Sequence, residues 1–157
     1  MPPCHAPFAL LLLAVTLSVN AQPVVELAPK AVKRSSPVYE TISHVTEGPA
    51  YGHTDGTVRG RYHRVLVLNQ GLAYDRPTLR IETLTYGDEV CCRRVVGAWS
   101  IDLEDLSEKG VPLPDSATTE LRFLRWRGPR TVEFAYGALT CRFAGIGKDN
   151  VTAACKQ

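Results

Sequence analysis

The sequence predicts an all-β protein: a small antiparallel β sandwich or barrel with one short helix, closed by disulfides. Three observations carry that expectation. Short β-branched or alternating segments recur along most of the chain, separated by turns rich in Gly, Pro and Asn. One segment alone carries helix start and stop signals. Four of the five cysteines follow an export-type leader, in a setting that favours disulfides.

The chain opens MPPCHAPFALLLLAVTLSVNAQP. Phe8 to Val19 is almost wholly apolar, and Val19-Asn20-Ala21 gives the small-residue ending that signal peptidase accepts. Residues 1–21 therefore read as a secretory signal peptide, too short for a permanent membrane span. The leader carries His5 but no Lys or Arg before its apolar run. Cys4 precedes the run, which argues against a lipoprotein. Residues 22–37, QPVVELAPKAVKRSSP, show no sustained period and read as a flexible N-terminal arm. Within it Lys33-Arg34 matches a dibasic processing pair, and a solvated tail would look the same. Residues 38–157 are expected to form a single β-rich domain.

Inside that domain VYETISHV (38–45) alternates loosely, and 46–60 is a Gly- and Thr-rich loop. RYHRVLVLN (61–69) is β-branched. PTLRIETLTY (77–86) alternates, with Leu79 and Ile81 on one face and Arg80 and Glu82 on the other. Gly87-Asp88 turns it back into EVCCRRVVGAWSI (89–101), which predicts a hairpin. The helix candidate is 102–110: Asp102 and Asp105 loosely imitate a capping box, and Gly110 sits at the C-cap. A proline-marked loop follows. Then come strands over 119–126, 131–136, 137–146 and 151–156.

The cysteine doublet sharpens the architecture. Neighbouring strand residues point to opposite faces, so a Cys91–Cys92 bridge would be strained. The expected arrangement joins one of Cys91 and Cys92 to Cys141 and the other to Cys155, each bridge worth about 4 kcal/mol in loop entropy. A third arrangement bridges Cys141 to Cys155 across a terminal hairpin and leaves the doublet to itself. A vicinal redox pair is a further alternative, and a zinc site lacks the usual CxxC spacing.

Eighteen basic residues against sixteen acidic ones give a net charge of +2, too mild for a nucleic-acid binder. No HExxH, GxSxG, P-loop or CxxC pattern occurs, so the sequence points to no catalytic chemistry and no cofactor. The acid pair Glu104 and Asp105 more simply favours a helix N-terminus. His44, Glu47, His53, Asp55 and His63 lie within twenty residues and could hold a transition metal, although their spacing matches no metal motif. Asn150-Val151-Thr152 is an N-glycosylation sequon, relevant only in a eukaryotic source.

The most distinctive cluster is Arg122, Arg125, Trp126, Arg127 and Arg130, interleaved with Phe123. A regular strand there puts Arg122 with Leu124 and Trp126, and Arg125 and Arg127 with Leu121 and Phe123. Arginine and tryptophan are enriched in interface hot spots, so the cluster is a candidate docking patch for an acidic protein partner. The competing use is pairing with the acidic segment Asp102 to Glu108 of the same chain. The expectation is a periplasmic or secreted non-enzymatic binding protein, of the inhibitor or immunity type, acting on a secreted or envelope enzyme. A metal or small-ligand carrier using the His44–His63 loop, or an envelope structural component, are the alternatives.

Overall fold

The computed structural model describes residues 23–33, 42–52, 60–70, 76–86, 93–115 and 118–157. The leader, His53, Asp55, Cys91 and Cys92 lie outside these residues. Among the described residues, ten strands and one helix follow in chain order: β1 (Val24–Leu27), β2 (Lys30–Ala31), β3 (Ile42–Glu47), β4 (Arg61–Leu68), β5 (Thr78–Tyr86), β6 (Arg93–Asp102), α1 (Glu104–Glu108), β7 (Leu121–Trp126), β8 (Thr131–Tyr136), β9 (Leu139–Ala144) and β10 (Val151–Lys156). They form two five-stranded antiparallel sheets. Sheet A has the order β1-β10-β9-β8-β7, and sheet B has the order β2-β6-β5-β4-β3. Among the described residues the chain adopts the expected all-β fold with one short helix.

Alternation decides which side chains meet between the sheets. Val65, Val67, Leu79, Ile81 and Ile101 of sheet B share one core with Val132, Phe134, Phe143, Val151 and Ala153 of sheet A. Phe134 takes Phe143 edge-on at 6.2 Å and Phe123 edge-on at 6.0 Å between ring centroids. Each such side chain, once fully buried, contributes about 1.5–3 kcal/mol. The predicted split of β5 holds: Leu79 and Ile81 enter the core, while Arg80 and Glu82 face the other way.

The expected hairpin is present as β5 against β6, in register from Thr78↔Asp102 to Tyr86↔Arg93. Helix α1 forms inside the predicted 102–110 segment but is shorter at both ends, Glu104–Glu108. Leu103 holds the N-cap, and the Asp102 carboxylate accepts the Glu104 N–H at 3.0 Å. Arg76 fastens this helix to the sheet, donating to Glu104 at 2.6 Å and to the Pro114 carbonyl at 2.6 Å.

Two expectations are corrected. Residues 24–31, read as part of a flexible arm, form β1 and β2. Val24–Leu27 extends sheet A beside β10, and Lys30–Ala31 extends sheet B beside β6. Leu27 is buried in the shared core, so a short apolar cluster gives this segment an anchor that its composition concealed. The second concerns sulfur. Cys141 bonds Cys155, not a member of the doublet. The register explains it: β9 and β10 place these two residues directly opposite each other, with Cα atoms 4.0 Å apart. Facing positions in an antiparallel ladder sit close enough to be bridged without moving the backbone.

The sandwich is pinned along one edge, where β3 faces β7. Trp126 donates its indole N–H to Thr46 Oγ1 at 2.9 Å, and His44 stacks on Phe123 at 5.7 Å. Gly48 lies against the Trp126 ring, where an added Cβ would come within 2.9 Å of it.

Candidate binding face

The arginines of β7 reach the outer face of sheet A through an irregularity in that strand. The ladder between β7 and β8 pairs Arg122 with Ala135 and Phe123 with Phe134, then jumps to pair Arg125 with Glu133. Leu124 is the extra residue, pushed out and 45 % exposed. A bulge of this kind reverses the alternation beyond it. Directly opposed residues share a face, so Arg122 and Arg125 both stand with Ala135 and Glu133 on the outer side. Leu121, Phe123 and Trp126 turn inward onto the core. A regular strand would have split Arg122 from Arg125 and put Trp126 beside Arg122; the bulge overturns that division.

Glu133 organises the face. It lies on β8, the middle of three adjacent strands, with Arg125 of β7 and Arg142 of β9 directly opposite it on either side. Arg125 Nε donates to Oε2 at 2.6 Å, Arg127 Nε to the same oxygen at 3.2 Å, and Arg142 Nε to Oε1 at 3.0 Å. The carboxylate is only 3 % exposed, while the three arginine side chains are 57 %, 46 % and 56 % exposed. It is thus shut off from water by one thin layer of guanidinium. The Arg125 hydrogen bond foremost, joined by those of Arg127 and Arg142, outweighs burial and holds its pKa at about 2.

This arrangement leaves cationic donors in surplus. A guanidinium carries five N–H groups, and a carboxylate offers about four acceptor positions. Three guanidiniums on one carboxylate therefore keep most of their N–H groups facing solvent. Beside them Thr140, Ala154 and Lys156 complete a shallow depression. Two cross-strand pairs each set a long cationic side chain beside a small one: Arg142 is opposite Ala154, and Lys156 is opposite Thr140.

A second glutamate makes an instructive contrast. On the outer side of sheet B, Glu82 takes Arg64 Nε at 3.0 Å and Arg80 Nε at 3.0 Å. Here Arg80 is itself only 6 % exposed. That cluster is more closed, with Arg64 its more exposed member at 29 %, whereas all three arginines on Glu133 are about half exposed.

The other residues singled out in the sequence disperse. Arg130 leaves the patch: it sits at the β7–β8 turn, with its guanidinium 4.9 Å over the Tyr51 ring. The acidic segment Asp102 to Glu108 is not the partner of the β7 arginines; Glu104 pairs with Arg76 instead. His44 is level with Val67 on β4, four residues along that strand from His63. His63 is buried, with Nε2 2.8 Å from the Tyr51 hydroxyl and Nδ1 3.0 Å from Thr83 Oγ1. Burial first, and the Arg130 charge second, lower its pKa to about 4. Glu47 is held by Arg93. Of that cluster, His44, Glu47 and His63 each have a separate setting, His53 and Asp55 lie outside the described residues, and among the described residues no three His, Cys, Asp or Glu side chains group as metal ligands.

Glu133, Arg142 and Lys156 were not singled out from sequence. A signal existed: Glu133 is the one charged residue of TVEFAY, and Arg142 the one charged residue of LTCRFA. A lone charge inside an alternating strand asks for a cross-strand partner. Which partner it finds depends on strand order.

No protein-family model matches the chain, and neither a curated protein nor a solved structure matches it. Among the described residues, no helix is long and apolar enough to cross a membrane.

Proposed function

We propose that this chain is an exported, non-enzymatic binding protein of the inhibitor or immunity type. It blocks a secreted or envelope enzyme by seating the guanidinium face of sheet A on an acidic surface of that enzyme. The observation that carries this reading is the trio of half-exposed arginines gathered on one water-excluded carboxylate. Glu133 restrains three long side chains before any partner arrives, so less rotamer freedom remains to be lost on binding. Arginine forks suit partner carboxylates, and their surplus charge steers encounter. The leader-like start and the Cys141–Cys155 bridge support a periplasmic or secreted setting.

The test compares wild type with Arg125→Gln/Arg127→Gln as baits in envelope and secreted fractions. Arg142 still satisfies Glu133 in the double variant, so its melting transition serves as the folding control. The expected result is an enzyme retained and inhibited by wild type, released at high salt, and lost from the variant. Equal recovery by both baits refutes the reading.

A further inference from the structure

We infer that the depression over Thr140 and Ala154 is an anchor site for one carboxylate of the partner. The inference rests on the binding-protein reading above and narrows it to a chemical group and a place. Arg142 and Lys156 wall the depression from neighbouring strands, with the small side chains of Ala154 and Thr140 between them. Arg142 turns its Nε edge to Glu133, with Nε and a terminal nitrogen each 3.0 Å from Oε1. Its remaining terminal N–H groups are left to a second acceptor. Lys156, exposed at the end of β10, supplies a point charge on the other side. Thr140 adds a hydroxyl at the floor.

The chemistry favours a carboxylate over a phosphate. Phosphate sites commonly add free backbone N–H groups, at nests or helix N-termini, to their Arg and Lys side chains. Here Thr140 and Arg142 of β9 and Ala154 of β10 are each paired with a neighbouring strand on both sides, so the backbone at these three positions is committed to ladders. Recognition falls to side chains alone, and a planar guanidinium fork beside an ammonium fits a planar monoanion. Among the described residues no aromatic ring lines the floor or walls, so they offer no stacking platform of the kind a sugar acid would use.

The test is a titration followed through the backbone amide resonances of Thr140 and Ala154. Three probes are used: N-acetylglutamic acid amide for a side-chain carboxylate, N-acetylalanine for a terminal carboxylate, and inorganic phosphate. Both carboxylates should shift these resonances saturably, with millimolar affinity of roughly 4 kcal/mol. The tighter of the two names the source of the anchor group. Arg142→Gln and Lys156→Gln should each weaken binding about three- to ten-fold, and Arg93→Gln on sheet B should leave it unchanged. Absence of saturable shifts with either carboxylate overturns the inference, and so does phosphate binding more tightly than both. The two readings fail separately. If the probes fail while Arg125→Gln/Arg127→Gln still loses the enzyme, the anchor is wrong and the docking face stands. If the probes bind while that variant retains the enzyme, the docking face is wrong, and the depression is a carboxylate site but not the anchor of that enzyme.

Discussion

Replacing Glu133 by Gln removes one negative charge from beneath three guanidiniums and changes almost nothing else in shape. Its effect can be worked from the structure. The Glu133 pKa falls from 4.5 to about 2 on folding. At about 1.4 kcal/mol for each tenfold change in proton affinity, that corresponds to about 3.4 kcal/mol as an upper bound. The arginines responsible are half exposed, so solvent screens the interaction and about 1–2 kcal/mol is the expected contribution at neutral pH. The sign follows from the direction of the change. The folded state holds the proton more weakly than the unfolded chain, so stabilisation is complete above about pH 4.5. It is lost as pH falls through about 2. Urea unfolding of wild type and Glu133→Gln, followed by tryptophan fluorescence between about pH 2 and pH 7, measures it. The variant should be less stable by about 1–2 kcal/mol at pH 7, and the two curves should converge near pH 2. A gap that is the same at every pH, or no gap at pH 7, would refute the assignment of Glu133 as the ionised centre of the cluster.

Three further outcomes are expected. His63, neutral in its buried site with a pKa of about 4, binds its proton later than the unfolded chain. Wild type should therefore lose up to about 3 kcal/mol as pH falls from about 6.5 through about 4, and His63→Gln should abolish that slope; an imidazole titrating near pH 6.5 by NMR would contradict this. Gly147 has φ +78° and an added Cβ would sit 2.2 Å from His63 Cε1. Gly147→Ala should then cost about 2–4 kcal/mol in urea unfolding, and a loss under about 0.5 kcal/mol would show that the imidazole moves aside freely. Cys141→Ser/Cys155→Ser opens a bridge of sequence separation 14. It should lower stability by about 3 kcal/mol, read from the shift in urea midpoint.

How far the fold was legible can be judged from particular segments. TLRIETLTY announced its own two faces, because a strand with one side in the core must alternate, and Leu79 and Ile81 are where alternation puts them. VVEL did not announce itself. Four residues carry too little pattern, and Val24–Leu27 becomes a strand only because β10 offers a free edge and the core has room for Leu27. The cysteines failed for a related reason. Local chemistry disfavoured a vicinal bridge, but the pairing was settled by the β9–β10 register, which brings Cys141 opposite Cys155. The candidate site was half legible. Arg122, Arg125 and Arg127 stood out as a cluster, yet strict alternation assigned them to opposite faces. One extra residue, Leu124, brought them to the same side.

The sequence by itself determined the class of the fold, the positions of most strands, the helix and its acidic start. Each of these is set by contacts between near neighbours, through side-chain period, turn residues and capping. Tertiary structure decided what is paired with what: Cys141 with Cys155, Arg125 and Arg142 with Glu133, Trp126 with Thr46. Such pairings depend on strand order and register, which are fixed by how two whole sheets share one core. No local stretch of the chain carries that information. A buried carboxylate finds its arginines only after three strands have come to lie side by side.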